Sequence, residues 1–194
     1  MKKLALLILL LFTTVGMTSP QKADPEVKAG LERALAEFRD VSLKRDIAGI
    51  MSFFHPGLFT QMPKEQVSKA MTQAFADGQT PTIASMEFQY LSPIRPYSKG
   101  HSALIGTMSN LTMQWPGDVT PDIDALMIGL IKKRMGNDVS ITVDEKKDVI
   151  LISKKSWLLA INENSAGWKF IDQKRIGFFI ENNLLSDELK AMLN

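Results

Sequence analysis

The sequence contains no cysteine. That absence excludes a disulfide framework, a thiolate nucleophile, a Cys-ligated metal and a lipid-modified N-terminal cysteine. Histidine is scarce: His55 and His101 make up the whole complement, so a three-His zinc site is impossible. The longest apolar run falls far short of the roughly 20 residues a membrane-spanning helix needs. No phosphate-binding glycine loop, HExxH or GxSxG motif occurs, and no internal repeat or low-complexity segment does. What is present is an ordinary globular balance over 194 residues, 45% apolar and 23% charged, which excludes wholesale disorder.

The N-terminus has the order of an export signal. Lys2 and Lys3 are followed by nine apolar residues, Leu4 to Phe12, and then by Thr13, Thr14 and Gly16. A positive start, a short apolar run and small residues describe a secretory signal peptide over residues 1–16. Cleavage after Gly16 suits the small-residue rule, and a cut as late as Ala23 is an alternative. Without Lys2 and Lys3 the 23 basic residues fall to 21, equal to the 21 acidic ones. A neutral mature chain gives no reason to expect nucleic acid or an anionic membrane as partner, and it holds no membrane span. The expected address is the periplasm or the exterior.

The mature chain, residues 24–194, is expected to form one domain of mixed class. Asp24-Pro25 caps a helix over 25–39, with Val27, Leu31, Leu35 and Phe38 on one face. Asp46 caps a second helix that ends at His55-Pro56-Gly57. Leu58 to Thr60 reads as a short extended piece. Pro63 opens a third helix reaching about Asp77, stopped by Gly78. Ala84, Met86, Phe88 and Tyr90 alternate with polar residues as one face of a strand. A proline-rich loop over 93–100 leads to a strand over 101–115. Thr120 and Pro121 begin a helix to residue 135, with acids in its first turn and Lys132, Lys133 and Arg134 near its end. Strands are predicted over 139–143, 149–161 and 168–173, and a short helix capped by Ser186 in the tail. Helices followed by an antiparallel meander make an α+β architecture.

The run from Asp46 to Phe59, DIAGIMSFFHPGLF, resembles the second-helix segment of the NTF2-like (SnoaL-like, cystatin-like cone) superfamily. There an Asp opens a helix ending in an aromatic, followed by a turn. Gly167 to Asp172, GWKFID, is similar to that superfamily's closing strand. The resemblance implies a cone, with helices packed on a curved antiparallel sheet around a pocket. The helix over 121–135, inserted between strands, departs from its minimal pattern.

The ketosteroid isomerases of this superfamily place a Tyr eight residues before the helix-opening Asp and a carboxylate sixteen after it. Counted from Asp46 those places hold Phe38 and Met62, with Pro63 following as the pattern asks. Phenylalanine cannot donate a hydrogen bond to a developing enolate, and methionine cannot take a proton. Dehydratase-like chemistry would want a His–Asp pair, for which His101 and Asp172 are the candidates. His55 and His101 are the acid/base candidates left, His55 reading more simply as a solvated residue at a helix end. Asp118, Asp122 and Asp124 lack the glycine and terminal Glu of a calcium loop and read as helix caps. Asn110-Leu111-Thr112 is a glycosylation sequon in a predicted strand, a setting that argues against its use.

Eight methionines between residues 51 and 135 lie among several phenylalanines. Methionine fills irregular space and suits adaptable binding surfaces. The expected function is therefore non-catalytic binding of a small apolar ligand or a protein partner. The pocket is drawn from Phe38, Phe54, Phe59, Met62, Met71, Phe75, Met86, Phe88 and Tyr90. No metal or cofactor is expected. The alternatives are an isomerase or lyase with a rearranged acid and base, and a structural module that forms a homodimer. The apolar positions Ile123, Leu126, Met127, Leu130 and Ile131 form one stripe, expected to pack on the chain's own domain as a lid near the pocket mouth.

Overall fold

The computed structural model describes residues 24–76, 80–114, 121–136, 138–144 and 148–193, with backbone only for 121–124. The predicted export segment, Gly78, Trp115, Asp118 and the predicted Thr120 cap lie outside these residues, as do the side chains of Asp122, Ile123 and Asp124.

Helix α1 (Pro25–Leu43) starts where Asp24 accepts the Glu26 N–H at 2.9 Å. It buries Leu31, Leu35 and Phe38, four and three residues apart, the spacing of one helical face. Arg45, in the left-handed region at φ 53°, turns the chain into α2 (Ile47–Ser52). Asp46 caps α2 by accepting the Gly49 N–H at 3.0 Å. Gly49 is required by contact: a Cβ there would stand 2.6 Å from Val41 Cγ1.

Leu58 to Thr60, expected to be extended, lies in a helical turn, α3 (Leu58–Gln61). Its bonds run Leu58 N to His55 O at 2.9 Å and Phe59 N to Pro56 O at 2.9 Å. Pro56 and Gly57 favour such a tight turn over a strand. Helix α4 (Lys64–Ala76) follows.

The strands are β1 (Thr82–Leu91), β2 (Arg95–Tyr97), β3 (Gly100–Gln114), β4 (Val139–Asp144), β5 (Val149–Glu163) and β6 (Lys169–Asp172). They form one antiparallel sheet in the order β1-β3-β5-β4, with β2 on β3 and β6 on β5. Helix α5 (Pro121–Met135) lies between β3 and β4 in sequence. Two elements went unread in the sequence, β2 within the proline-rich loop and helix α6 (Gln173–Glu181). Asp172 caps α6 by accepting the Lys174 N–H at 2.9 Å, so the chain turns from β6 directly into helix. Helix α7 (Asp187–Met192) starts at Ser186, as the sequence predicts.

The period-2 rule separates the faces of β5. Leu158 and Ala160 join the core formed by α1, α2 and β6; Leu159 and Ile161 join a second core with Phe179, Leu185 and Leu189. Helices α1 to α4 therefore cover one face, while α6 and α7 cover one end of the other. A third cluster, Leu111, Ile150 and Ile152, takes Met127, Ile131 and Met135 of α5. This splits the expected stripe: Leu126 is 62% exposed and Leu130 56%. The half-buried inward row runs i, i+4, i+8 through 127, 131 and 135, and Leu126 and Leu130 fall on its solvent side.

Candidate functional site

Between the helices and the inner sheet face lies a cavity of about 640 Å³. Its walls come from most of the fold: Phe38 of α1; Phe54, His55 and Leu58 around the α2–α3 turn; Met62; Val67 and Met71 of α4; Met135 of α5; and the inner faces of β1, β3, β5 and β6. Of the nine residues assigned to a pocket from the sequence, Phe38, Phe54, Met62, Met71 and Met86 line this cavity. Phe59 packs on Phe54, ring centroids 6.5 Å apart. Phe75 and Phe88 pack against the first core.

Tyr90 is a correction. It is 51% exposed and meets Trp157 edge-on, centroids 5.7 Å apart. Trp157 alternates with Ser156 and Leu158, which face the cavity, so this pair stands on the outer face. The cause is a β-bulge between Phe88 and Tyr90. A bulge adds one residue and so turns the following side chains to the opposite face.

His55 is also corrected. It is buried, 8% exposed, rather than solvated. Its Nδ1 accepts the Gly57 N–H at 3.1 Å, which leaves Nε2 to carry the proton of the neutral ring. Nε2 stands 3.8 Å from Glu163 Oε2, and the ring meets Phe179 edge-on with centroids 5.4 Å apart. The second Glu163 oxygen accepts the Tyr97 hydroxyl at 2.9 Å. Burial lowers the His55 pKa, opposed by Glu163 and reinforced by Lys169 and Lys99. Burial and the carboxylate of Glu163 raise that of Tyr97.

The sign of the His55 effect fixes a prediction. The unfolded chain protonates this imidazole near 6.5 while the folded chain resists, so below 6.5 the unfolded state binds more protons. Stability from this residue is complete above 6.5 and is lost as pH falls below it. His55→Asn keeps an acceptor for Gly57 and removes the titration. Thermal melts from pH 8 to 5 should show a smaller drop in Tm for this variant than for the parent. Equal drops would assign the acid sensitivity to other groups.

His101 and Asp172 are not brought together. His101 pairs across β3 and β5 with Asn162, whereas Asp172 pairs with Leu158, four residues along β5. At about 3.3 Å per residue that is roughly 13 Å of strand. Asp172 is engaged otherwise: Oδ1 caps α6, and Oδ2 accepts Ser156 Oγ at 3.5 Å.

The sheet wall holds a feature the sequence reading missed. The inner face of β3 runs Ala103, Ile105, Thr107, Ser109, Leu111, Met113; that of β5 runs Ile150, Ile152, Lys154, Ser156, Leu158, Ala160. The polar residues pair with one another, Thr107 with Ser156 and Ser109 with Lys154. They form a polar band across two central strands, with apolar rows on either side. The signal was available as a break in the inward apolar alternation at the middle of both strands. Finding it required the register.

No protein-family model matches the sequence, and no curated protein does. Among solved structures the chain is similar to one from Streptomyces avermitilis, described as a candidate dehydratase from the NTF2-like family. The identity is 12%, the match covers 76% of this chain and 93% of that one, and the TM-score is 0.36.

Proposed function

We propose that the chain is an exported binding protein that holds a small, largely apolar molecule in its cavity without transforming it. The observation that carries this reading is the cavity: about 640 Å³, bounded on its helical side by Phe54, Met62, Val67 and Met71. Ligand sites fall typically between about 300 and 1,000 Å³ and are mainly apolar with a few placed polar groups. The non-catalytic part rests on chemistry. Phe38 and Met62 stand where isomerases of the resembling superfamily carry their acid and base. Asp172 is committed to capping α6, and His55 to Gly57.

Met71→Trp tests the binding reading by filling the space. Calorimetry should find an apolar probe such as 1-aminoanthracene bound by the parent and lost from the variant, with Tm retained. Equal binding by both would place the probe elsewhere and remove the support for this cavity. Export is tested separately. Intact-mass analysis of protein recovered from a bacterial periplasm should give a chain starting near Met17, or at latest near Asp24; a chain retaining Lys2 and Lys3 would refute it.

A protein partner is the second reading, favoured by Leu126 and Leu130, exposed side by side on α5. Light scattering that finds a monomer at all concentrations would count against a homodimer.

A further inference from the structure

The polar band makes the cavity selective for charge. Lys154 projects from the inner face of central strand β5, with the apolar Leu111–Ile152 pair on one side and the polar Thr107–Ser156 pair on the other. It is half-buried, and among the described residues no hydrogen bond or ion pair engages its ammonium group. A half-buried cation on an inward-facing strand position costs solvation energy unless it has a counter-charge. Lys174 and Arg175 of α6 add two more positive charges to the same cavity wall, against the single carboxylate of Asp172. The lowered pKa of His55 leaves that ring neutral at pH 7. Charged lining groups therefore sum to an excess of positive charge, in a chain whose mature part is neutral overall.

The hydroxyl beside Lys154 suits the same ligand. Ser109 lies directly across from it on β3, while the neighbouring Thr107 and Ser156 hydroxyls donate to Ser156 O and Asp172. The Ser109 hydroxyl and the ammonium can both donate to an anionic oxygen. The helical side opposite offers methionine and aliphatic side chains suited to a chain or ring system.

We infer that the ligand is an amphipathic anion, its charged head on Lys154 and the Ser109 hydroxyl and its apolar body against α4. This rests on the cavity-binding reading above and narrows it to one chemical class. The recognition uses one point charge on a flexible stem, so it selects by charge more than by head-group shape.

The test compares three ten-carbon probes by isothermal titration calorimetry on the mature chain: decanoate, decanol and decyltrimethylammonium. Decanoate should bind about ten- to hundredfold more tightly than decanol, the range of a hydrogen bond to a charged group, and the cation should bind least. Lys154→Met, which keeps the apolar stem, should erase the preference for decanoate and leave decanol affinity within about twofold. Lys154→Arg should retain the preference. Equal affinity of the parent for decanoate and decanol overturns the inference while the cavity reading stands, and so does an undiminished preference in Lys154→Met. The parent-only comparison decides the matter even if that variant fails to fold. Failure of all three probes to bind the parent overturns both readings together.

Discussion

Replacing Phe38 with Ala should cost about 3–5 kcal/mol, whereas replacing Met62 with Ala should cost under about 1 kcal/mol. Both residues touch the cavity. Their surroundings differ. Phe38 is 9% exposed and Met62 is 38%. Phe38 is also the node of an aromatic cluster. Its ring lies 5.6 Å from that of Phe53 and 5.1 Å from that of Phe170, and those two lie 5.7 Å apart. Aromatic contacts of this kind add about 0.5–1.5 kcal/mol each beyond the area they bury. The cluster joins α1, the end of α2 and β6, where Phe170 N–H also donates to Phe53 O at 2.7 Å. Truncation would break this three-way joint and open its volume into the existing cavity, where neighbours cannot collapse to fill it. A loss of about 6–20 °C in Tm follows for a domain of this size. Urea denaturation of both variants checks the claim. Similar small losses would mean that the joint between α1, α2 and β6 is held by something other than this cluster.

Phe38 also illustrates what was legible in the sequence. Its place on the buried face of α1 follows from the 31-35-38 spacing; its partners Phe53 and Phe170 come from other elements and are set by the fold. Capping was legible for a similar reason: Asp24, Asp46 and Ser186 each sit at the start of a helix, where a side-chain oxygen has local N–H groups to accept from. Such features depend on residues a few positions apart. The errors arose where the deciding partner is distant or the local rule is ambiguous. The bulge that turns Tyr90 outward exists because β1 must keep register with β3, more than ten residues away. His55 is buried because Phe179 and Glu163 meet it from the far end of the chain. Helix α6 carries a glycine at 177 within nine residues, which lowers its helix propensity. The polar band is invisible along either strand taken singly, since Lys154 and Ser156 alone read as an exposed stretch. Pairing with Thr107 and Ser109 across an inward face makes them a site.

The stripe on α5 poses the same problem, and its resolution sets a prediction of opposite effects. The sequence places Leu126, Met127, Leu130 and Ile131 on one apolar face. The structure docks Met127, Ile131 and Met135 against Leu111, Ile150 and Ile152 and leaves Leu126 and Leu130 in solvent. Ile150 is 0% and Ile152 1% exposed. A charge introduced at 127 or 131 would face the apolar cluster of Leu111, Ile150 and Ile152. Met127→Asp with Ile131→Asp should therefore cost about 2–4 kcal/mol from lost burial alone, and more from the unpaired carboxylates. The C-terminal end of α5 is held separately. Lys174 Nζ donates to Arg134 O at 3.1 Å, and Gly136, at φ 99°, lets its N–H return to Lys132 O at 2.8 Å. These bonds tether the helix end but do not replace the inward row, so the double variant should undock the helix and expose Ile150 and Ile152. Increased binding of an apolar dye, with the CD signal of the sheet kept, would report that state. Leu126→Asp with Leu130→Asp should instead change stability by no more than about 1 kcal/mol in total, because both side chains are already wet. A large loss from the leucine pair and none from the methionine–isoleucine pair would show that α5 docks through its other edge. If the leucine pair leaves the fold intact but converts a dimer to a monomer in light scattering, those two leucines are an interface between copies of the chain. The inward row 127-131-135 would still be what fixes the helix to its own sheet, because its partners Ile150 and Ile152 are already buried within one chain.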